Sequence, residues 1–253
     1  MTNVLVCIKR VPETSSQVLL SEDGQSVDAR HVGYTVSAHE ESAVEIAIQI
    51  AEATGGTATV LTLGPGEAVE QLRDAIAVGC SRAVHIEADS GQFGPADVAA
   101  AIAQFVQSEE SPVDLVLVGN DAADTGDFQV GVRLAYALER PVLTGISAVV
   151  VDGATVTASG AGPDGDEVFE FPVPAVIAIQ EGGVSPRYPS IVGRMRAKKT
   201  NIETIHTEIV PVSHRVRLKS PPQQPSSVEV LGKGPEAASA VVDMFFRIGV
   251  AAK

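Results

Sequence analysis

An unbroken apolar run, Val4 to Ile8, opens the chain and predicts a strand buried on both faces. Apolar residues then recur at helical spacing from Ser37 to Ala53 (Ala43, Ile46, Ala47, Ile50, Ala51), and Gly55-Gly56 stops the run. The alternation continues with a strand at Ala58 to Leu63, ended by Gly64-Pro65. A helix follows at Glu67 to Val78, with Val69, Leu72, Ala75 and Ile76 inward and Gly79 at its C-cap. Next come a strand at Ala83 to Ile86 and a helix at Pro95 to Gln107 that opens on its proline. A strand at Val113 to Val118, bounded by Gly119-Asn120, leads to a helix at Gln129 to Leu138. Strand and helix alternating through short connections predict an α/β fold, a mostly parallel sheet with helices on both faces.

After Pro141 the pattern changes. Ile146 to Val151, Thr155 to Ser159, Val168 to Phe171 and Ala175 to Ile179 read as strands without helices between them, with Asp152-Gly153 as a hairpin turn. They predict an antiparallel extension of the same sheet. From Ile202 onward regularity fades, and Ser220 to Pro225 reads as a linker. A helix resumes at Pro235 to Ile248 with Ala238, Val241, Val242, Phe245 and Phe246 on one face. Such a helix either folds back on the core or packs on a partner, and the partner is the reading favoured here. The division expected is residues 1–205 as the α/β domain and 206–253 as linker and helix.

Composition narrows the picture. The 253 residues are 45% hydrophobic with a net charge of −14, which fits a globular chain and argues against nucleic acid as a partner. Only 4% of residues are aromatic, so Val, Ile, Leu and Ala must build the core. Cys7 sits in the first strand and Cys80 after a helix, the placement of two buried thiols rather than a disulfide framework. No run approaches the length of a membrane span, and the opening apolar run is too short for a signal peptide. The expectation is a cytoplasmic protein with no direct membrane insertion.

Against that acidic background stands one basic cluster, Pro186 to Thr200 (PRYPSIVGRMRAKKT). Its apolar residues Tyr188, Ile191, Val192 and Met195 follow no clear period. Cations around apolar anchors suit protein docking, although a solvated loop with a few buried side chains has the same composition.

In open α/β sheets ligands bind outside the carboxyl ends of the strands. The ends at Cys7 to Lys9, at Leu63-Gly64-Pro65 and above all at Gly119 to Gly131 are therefore candidates. In the last, Gly119, Gly126 and Gly131 allow backbone to approach a ligand, and free N–H groups around Gln129 to Gly131 favour a phosphate. A turn with a helix cap would use similar residues. The spacing matches neither a Walker loop nor GxGxxG. The five histidines are scattered without metal-ligand spacing, and no catalytic motif stands out, so an enzyme in its own right is not expected.

These segments together resemble a family. The opening VLVCIKRVPET, the helix SAVEIA, TLGP, AVGCSRAVHI, GNDAADTGDFQVG, PAVIAI and SPRYPSIVGRMRAKKT are similar, in order over about residues 3–205, to the β subunit of electron-transfer flavoproteins. The resemblance implies an adenine-nucleotide-binding, Rossmann-like fold with a partner-embracing C-terminal tail. It implies a heterodimer whose α subunit holds the redox-active FAD, with a structural AMP in this subunit. Flavin dehydrogenases, such as the acyl-CoA dehydrogenases of fatty-acid β-oxidation, would donate electrons, and a membrane quinone oxidoreductase would accept them. In bifurcating members a second FAD that oxidises NADH replaces AMP, and the phosphate loop serves either. A stand-alone adenine-nucleotide sensor would leave the basic segment and the last helix without a role.

Residues matching the AMP site are Cys7; Ser37, Ala38, His39 and Glu40; Leu63; and Gly119, Asn120, Asp121, Ala122, Ala123, Asp124, Thr125, Gly126, Asp127, Phe128, Gln129 and Val130, with Gly131 adjacent. The partner-docking loop, about 184–200, matches Arg187, Tyr188, Ile191, Met195, Lys198 and Lys199, with Ile191 where the family commonly has a leucine anchor. Three departures stand out. Ser37-Ala38-His39 replaces Asn-Pro-aromatic, Thr14 replaces an aromatic that in some members leans on the flavin, and Ser159 to Pro174 is degraded.

Overall fold

The computed structural model describes residues 1–13, 19–89, 91–212, 217–219 and 228–250. In chain order the elements are β1 (Asn3–Ile8), β2 (Val11–Pro12), β3 (Tyr34–Thr35), α1 (Ala38–Thr54), β4 (Thr57–Gly64), α2 (Val69–Val78), β5 (Arg82–Glu87), α3 (Pro95–Ser108) and β6 (Leu115–Gly119). They continue with α4 (Val130–Leu138), β7 (Val142–Asp152), β8 (Thr155–Gly162), β9 (Gly165–Pro172), β10 (Ala175–Ile179), α5 (Ile191–Lys199), β11 (Glu203–His206) and α6 (Ala238–Arg247). Thr14 and the linker Ser220 to Pro225, both singled out above, lie outside the described residues. The chain divides into two compact units, Met1–Leu218 and Lys219–Lys253. In the second, a 3₁₀ turn at Gly234–Ala237 runs into α6, none of whose residues is buried.

The helix boundaries follow from local chemistry. Ser37 and Glu40 form a reciprocal capping box at the start of α1, and Gly55 ends that helix in the left-handed region at φ 69°. Pro95 opens α3, with the Asp97 carboxylate accepting from the Gly94 N–H.

One nine-stranded sheet carries the first unit, in the order β11-β5-β4-β1-β6-β10-β7-β8-β9. Every pairing from β11 across to β7 is parallel, and β7-β8 and β8-β9 are antiparallel. Successive residues of β1 serve opposite faces. Val4, Val6 and Ile8 join a core with Ile46 and Ile50 of α1 and Leu72 and Ile76 of α2. Leu5 and Cys7 join the other, with Ile102 and Phe105 of α3 and Leu134 of α4. The two faces are thus both covered, as continuous apolar strands require.

Three expectations need correction. Ala175–Ile179 is not part of an antiparallel extension. It inserts as β10 between β6 and β7, parallel to both. All its residues are buried, and an all-apolar strand is satisfied only where both faces and both edges are covered. The basic segment is not a loop throughout, because Ile191–Lys199 is helical. Regularity also persists past Ile202, where Glu203–His206 pairs with β5 and forms one edge of the sheet. There Ile205 packs partly on the second core.

Candidate functional site

The sheet order reverses at β1, which has β4 on one side and β6 on the other. Chains leaving two such neighbours go to opposite faces and open a crevice between them. A cavity of about 380 Å³ lies there, against Cys7 and Ile8 of β1, Leu61 and Leu63 of β4, Val118 and Gly119 of β6, and Ala178 of β10. Phe93, Gly94, Pro95, Val98 and Ile102, at the start of α3, line it as well. The loop from Asn120 and the first turn of α4 complete the wall, with Thr144 and Gly145 of β7.

Several features fit an anion joined to a flat apolar body. No side chain caps the first turn of α4, so its N–H groups stay open toward the cavity that Gln129, Val130 and Gly131 line. Gly131 is what brings that turn onto the sheet, since a Cβ there would lie 3.0 Å from Val118 Cγ2. Leu61, Leu63, Val98 and Ile102 give an apolar surface. Asn120 staples the strand ends together, accepting from the Gly145 N–H at 2.9 Å and donating to Gln180 Oε1 at 3.1 Å. Two residues of the loop adopt positive φ, Gly126 at 63° and Phe128 at 52°. For an aromatic residue that conformation is strained, and Phe128 also stays 59% exposed at the cavity wall.

Charge at the site is mostly negative. Asp121 has a buried, unpartnered Oδ1. Asp124 takes Lys9 in an ion pair of 2.7 Å. Glu40 is 5% exposed, and burial pushes its carboxyl up to about 8. Burial likewise raises the Cys7 thiol above its ordinary value, with Glu40 adding to the effect, so Cys7 stays protonated.

Of the residues assigned by resemblance, Cys7, Glu40, Leu63, Gly119, Asn120, Asp121, Ala122, Thr125, Asp127, Phe128, Gln129, Val130 and Gly131 line the cavity. Ser37, Ala38, His39, Ala123, Asp124 and Gly126 do not. Ser37 acts behind the wall through the capping box, and His39 Nδ1 accepts from the Glu181 N–H at 3.1 Å. The α3 wall was missed, and Lys9, though inside the candidate strand end Cys7 to Lys9, was not among the residues matched by resemblance. The proline opening α3 marked a helix start near the same sheet edge.

The basic segment is anchored rather than loose. Arg187 donates to both Glu45 and Glu52 of α1. Ser190 caps α5 by accepting from the Gly193 N–H. α5 rests on the end of α2 through Gly193 and Ala197, its only buried residues, and a Cβ on Gly193 would fall 2.1 Å from the Ala77 carbonyl oxygen. Tyr188 (95% exposed), Ile191 (80%), Val192 and Met195 point outward, beside exposed Lys198 and Lys199.

The chain as a whole is similar to known proteins. The model of the electron transfer flavoprotein domain matches residues 26–209. An electron transfer flavoprotein subunit beta of Bacillus subtilis is 33% identical over 81% of this chain and 79% of its own length. The protein of that name from Mycobacterium tuberculosis is 34% identical over 81% and 79%. The human one is 29% identical over 90% and 92%.

Proposed function

The chain belongs to the electron transfer flavoprotein β-subunit family, and from that premise we propose that it is the β subunit of a heterodimeric electron carrier rather than an enzyme in its own right. Its α partner would hold the redox-active FAD, which supplies the one- and two-electron chemistry. This chain's residues would bind a structural adenine mononucleotide and dock the proteins that exchange electrons with the carrier. Flavin dehydrogenases, acyl-CoA dehydrogenases among them, are the proposed donors and a membrane quinone oxidoreductase the acceptor. No helix among the described residues is long and apolar enough to cross a membrane, so contact with a membrane enzyme would be made through the protein's surface.

The observation that carries the nucleotide assignment is the uncapped start of α4 opening on an apolar cavity. The N–H groups at Gln129 to Gly131 would take the phosphate. Leu61, Leu63, Val98 and Ile102 would take the adenine. A volume of about 380 Å³ is near the small end of ligand cavities and favours AMP over a second FAD. The outward face of Tyr188, Ile191, Val192 and Met195 would be the docking surface, and α6 would pack on α.

Denaturing the purified heterodimer and identifying the nucleotides released tests this reading. One AMP and one FAD are expected per heterodimer. Two FAD and no AMP would replace the mononucleotide assignment with that of a bifurcating carrier.

A further inference from the structure

Glu40 is an acidic residue in the wall of a cavity read here as the seat of an anion. Its Oε2 is fully engaged, accepting from the Ser37 N–H at 3.2 Å and the Ser37 hydroxyl at 2.8 Å. Oε1 takes no hydrogen bond from the described protein, and Glu40 lines the cavity. The side chain lies close over Gly119, where an added Cβ would meet its Cγ at 2.7 Å.

Among the described residues no cation pairs with it directly, although Lys9 is close enough for its charge to favour the ionised form. Cys7 and Lys9 stand at the end of β1, Asp121, Asp124 and Asp127 in the loop before α4, and His39 and Glu41 on its own helix, with Glu181 beside His39. Lys9 is the one cation in this group of neighbours, and Asp124 already holds it at 2.7 Å. A desolvated carboxylate without a cation takes up a proton instead. With Oε2 occupied as an acceptor, the proton belongs on Oε1, and the group becomes a neutral donor aimed into the cavity.

We propose that Glu40 serves the site as a neutral carboxylic acid whose Oε1–H donates to an acceptor atom of the nucleotide, so that nucleotide binding is coupled to a proton. The inference rests on the mononucleotide reading above and adds a specificity-determining group to it. Burial, the largest influence, pushes this carboxyl up from its ordinary 4.5 to about 8, against the opposing hydrogen bonds from Ser37 and the charge of Lys9. The ligand's phosphate is already dianionic above pH 7, its second pKa being about 6. Between pH 7 and 9.5, then, loss of the Glu40 proton both removes a donor and sets a carboxylate near a dianion. Affinity therefore falls as pH rises, and binding at high pH takes a proton up.

The test is calorimetric titration of AMP into nucleotide-depleted heterodimer, from pH 7 to 9.5, in two buffers of different ionisation enthalpy. For the wild type, affinity is expected to fall roughly tenfold between pH 8.5 and 9.5, and about one proton should be taken up per AMP at pH 9. Glu40→Gln should show no proton uptake and a change of less than about twofold over that range. Equal pH slopes in the two proteins would overturn the proposal, as would identical wild-type heats in the two buffers at pH 9. The buffer comparison needs only the wild type and so decides the matter even if the variant misfolds. If the wild type binds no AMP at any pH, the mononucleotide reading falls and this one with it.

Discussion

Gly131 marks the closest approach of α4 to the sheet, with only 3.0 Å between its would-be Cβ and Val118 Cγ2. Gly131→Val should push the first turn of α4 outward, cost about 1–3 kcal/mol by overpacking, and lower nucleotide content with it. Thermal unfolding alongside nucleotide quantification checks this, and full occupancy in the variant would count against the phosphate placement. Arg187 works at the same scale. Burial alone would raise the Glu45 carboxyl, but the hydrogen bonds from Arg187, helped by Gln49, outweigh it and hold the group below its ordinary 4.5. A lowered carboxyl contributes stability in full above its ordinary value and loses it as pH falls through the folded-state value. Arg187→Ala strands a buried carboxylate, and with Arg187 itself partly exposed the cost should be about 1–3 kcal/mol at pH 7. Urea unfolding should show that difference shrinking below about pH 4.5. Many of the cavity residues were legible in the chain because glycines and acids crowd one strand-to-helix loop, Gly119 to Gly131. The pairing of Lys9 with Asp124 was not, since the two lie more than a hundred positions apart and no local pattern ties them.

At the scale of elements, α5 is the instructive case. Its buried face is Gly193 and Ala197, one helical turn apart, and its apolar residues point outward. A periodicity search looks for large apolar residues on the inner face, so a helix held by small-residue contact leaves none to find. The same inversion suits the docking role proposed for α5. Ile191→Ala should cost about 2 kcal/mol or more at the donor interface and slow electron transfer from the donor dehydrogenase roughly tenfold or more. Flavin content and absorbance of the heterodimer should not change. Neutralising Lys198 and Lys199 together should mainly flatten the salt dependence of association. Stopped-flow reduction of the carrier at several ionic strengths measures both effects. A normal rate for Ile191→Ala would remove α5 from the docking surface.

For the whole molecule, the C-terminal unit raises the question of assembly. The apolar face of α6, with Val242 and Phe245 among its exposed residues, fits a helix that meets a partner. Expressed without α, the chain should self-associate, and light scattering after gel filtration checks this; a monodisperse, stable monomer would argue against that role. Alternating strands and helices by themselves determined the α/β class, the two-sided cover of the sheet and the strand-to-helix loop that lines much of the cavity. Each of those rests on interactions within a few residues: apolar spacing, a capping box, a glycine stop. Only the tertiary structure decided that Ala175–Ile179 inserts between β6 and β7, that Glu203–His206 closes an edge, and that Lys9, Glu40 and the start of α3 meet around one cavity. Such placements depend on which strand edges remain unpaired once the rest has folded, and on contacts between residues far apart in the chain, neither of which leaves a period in the sequence.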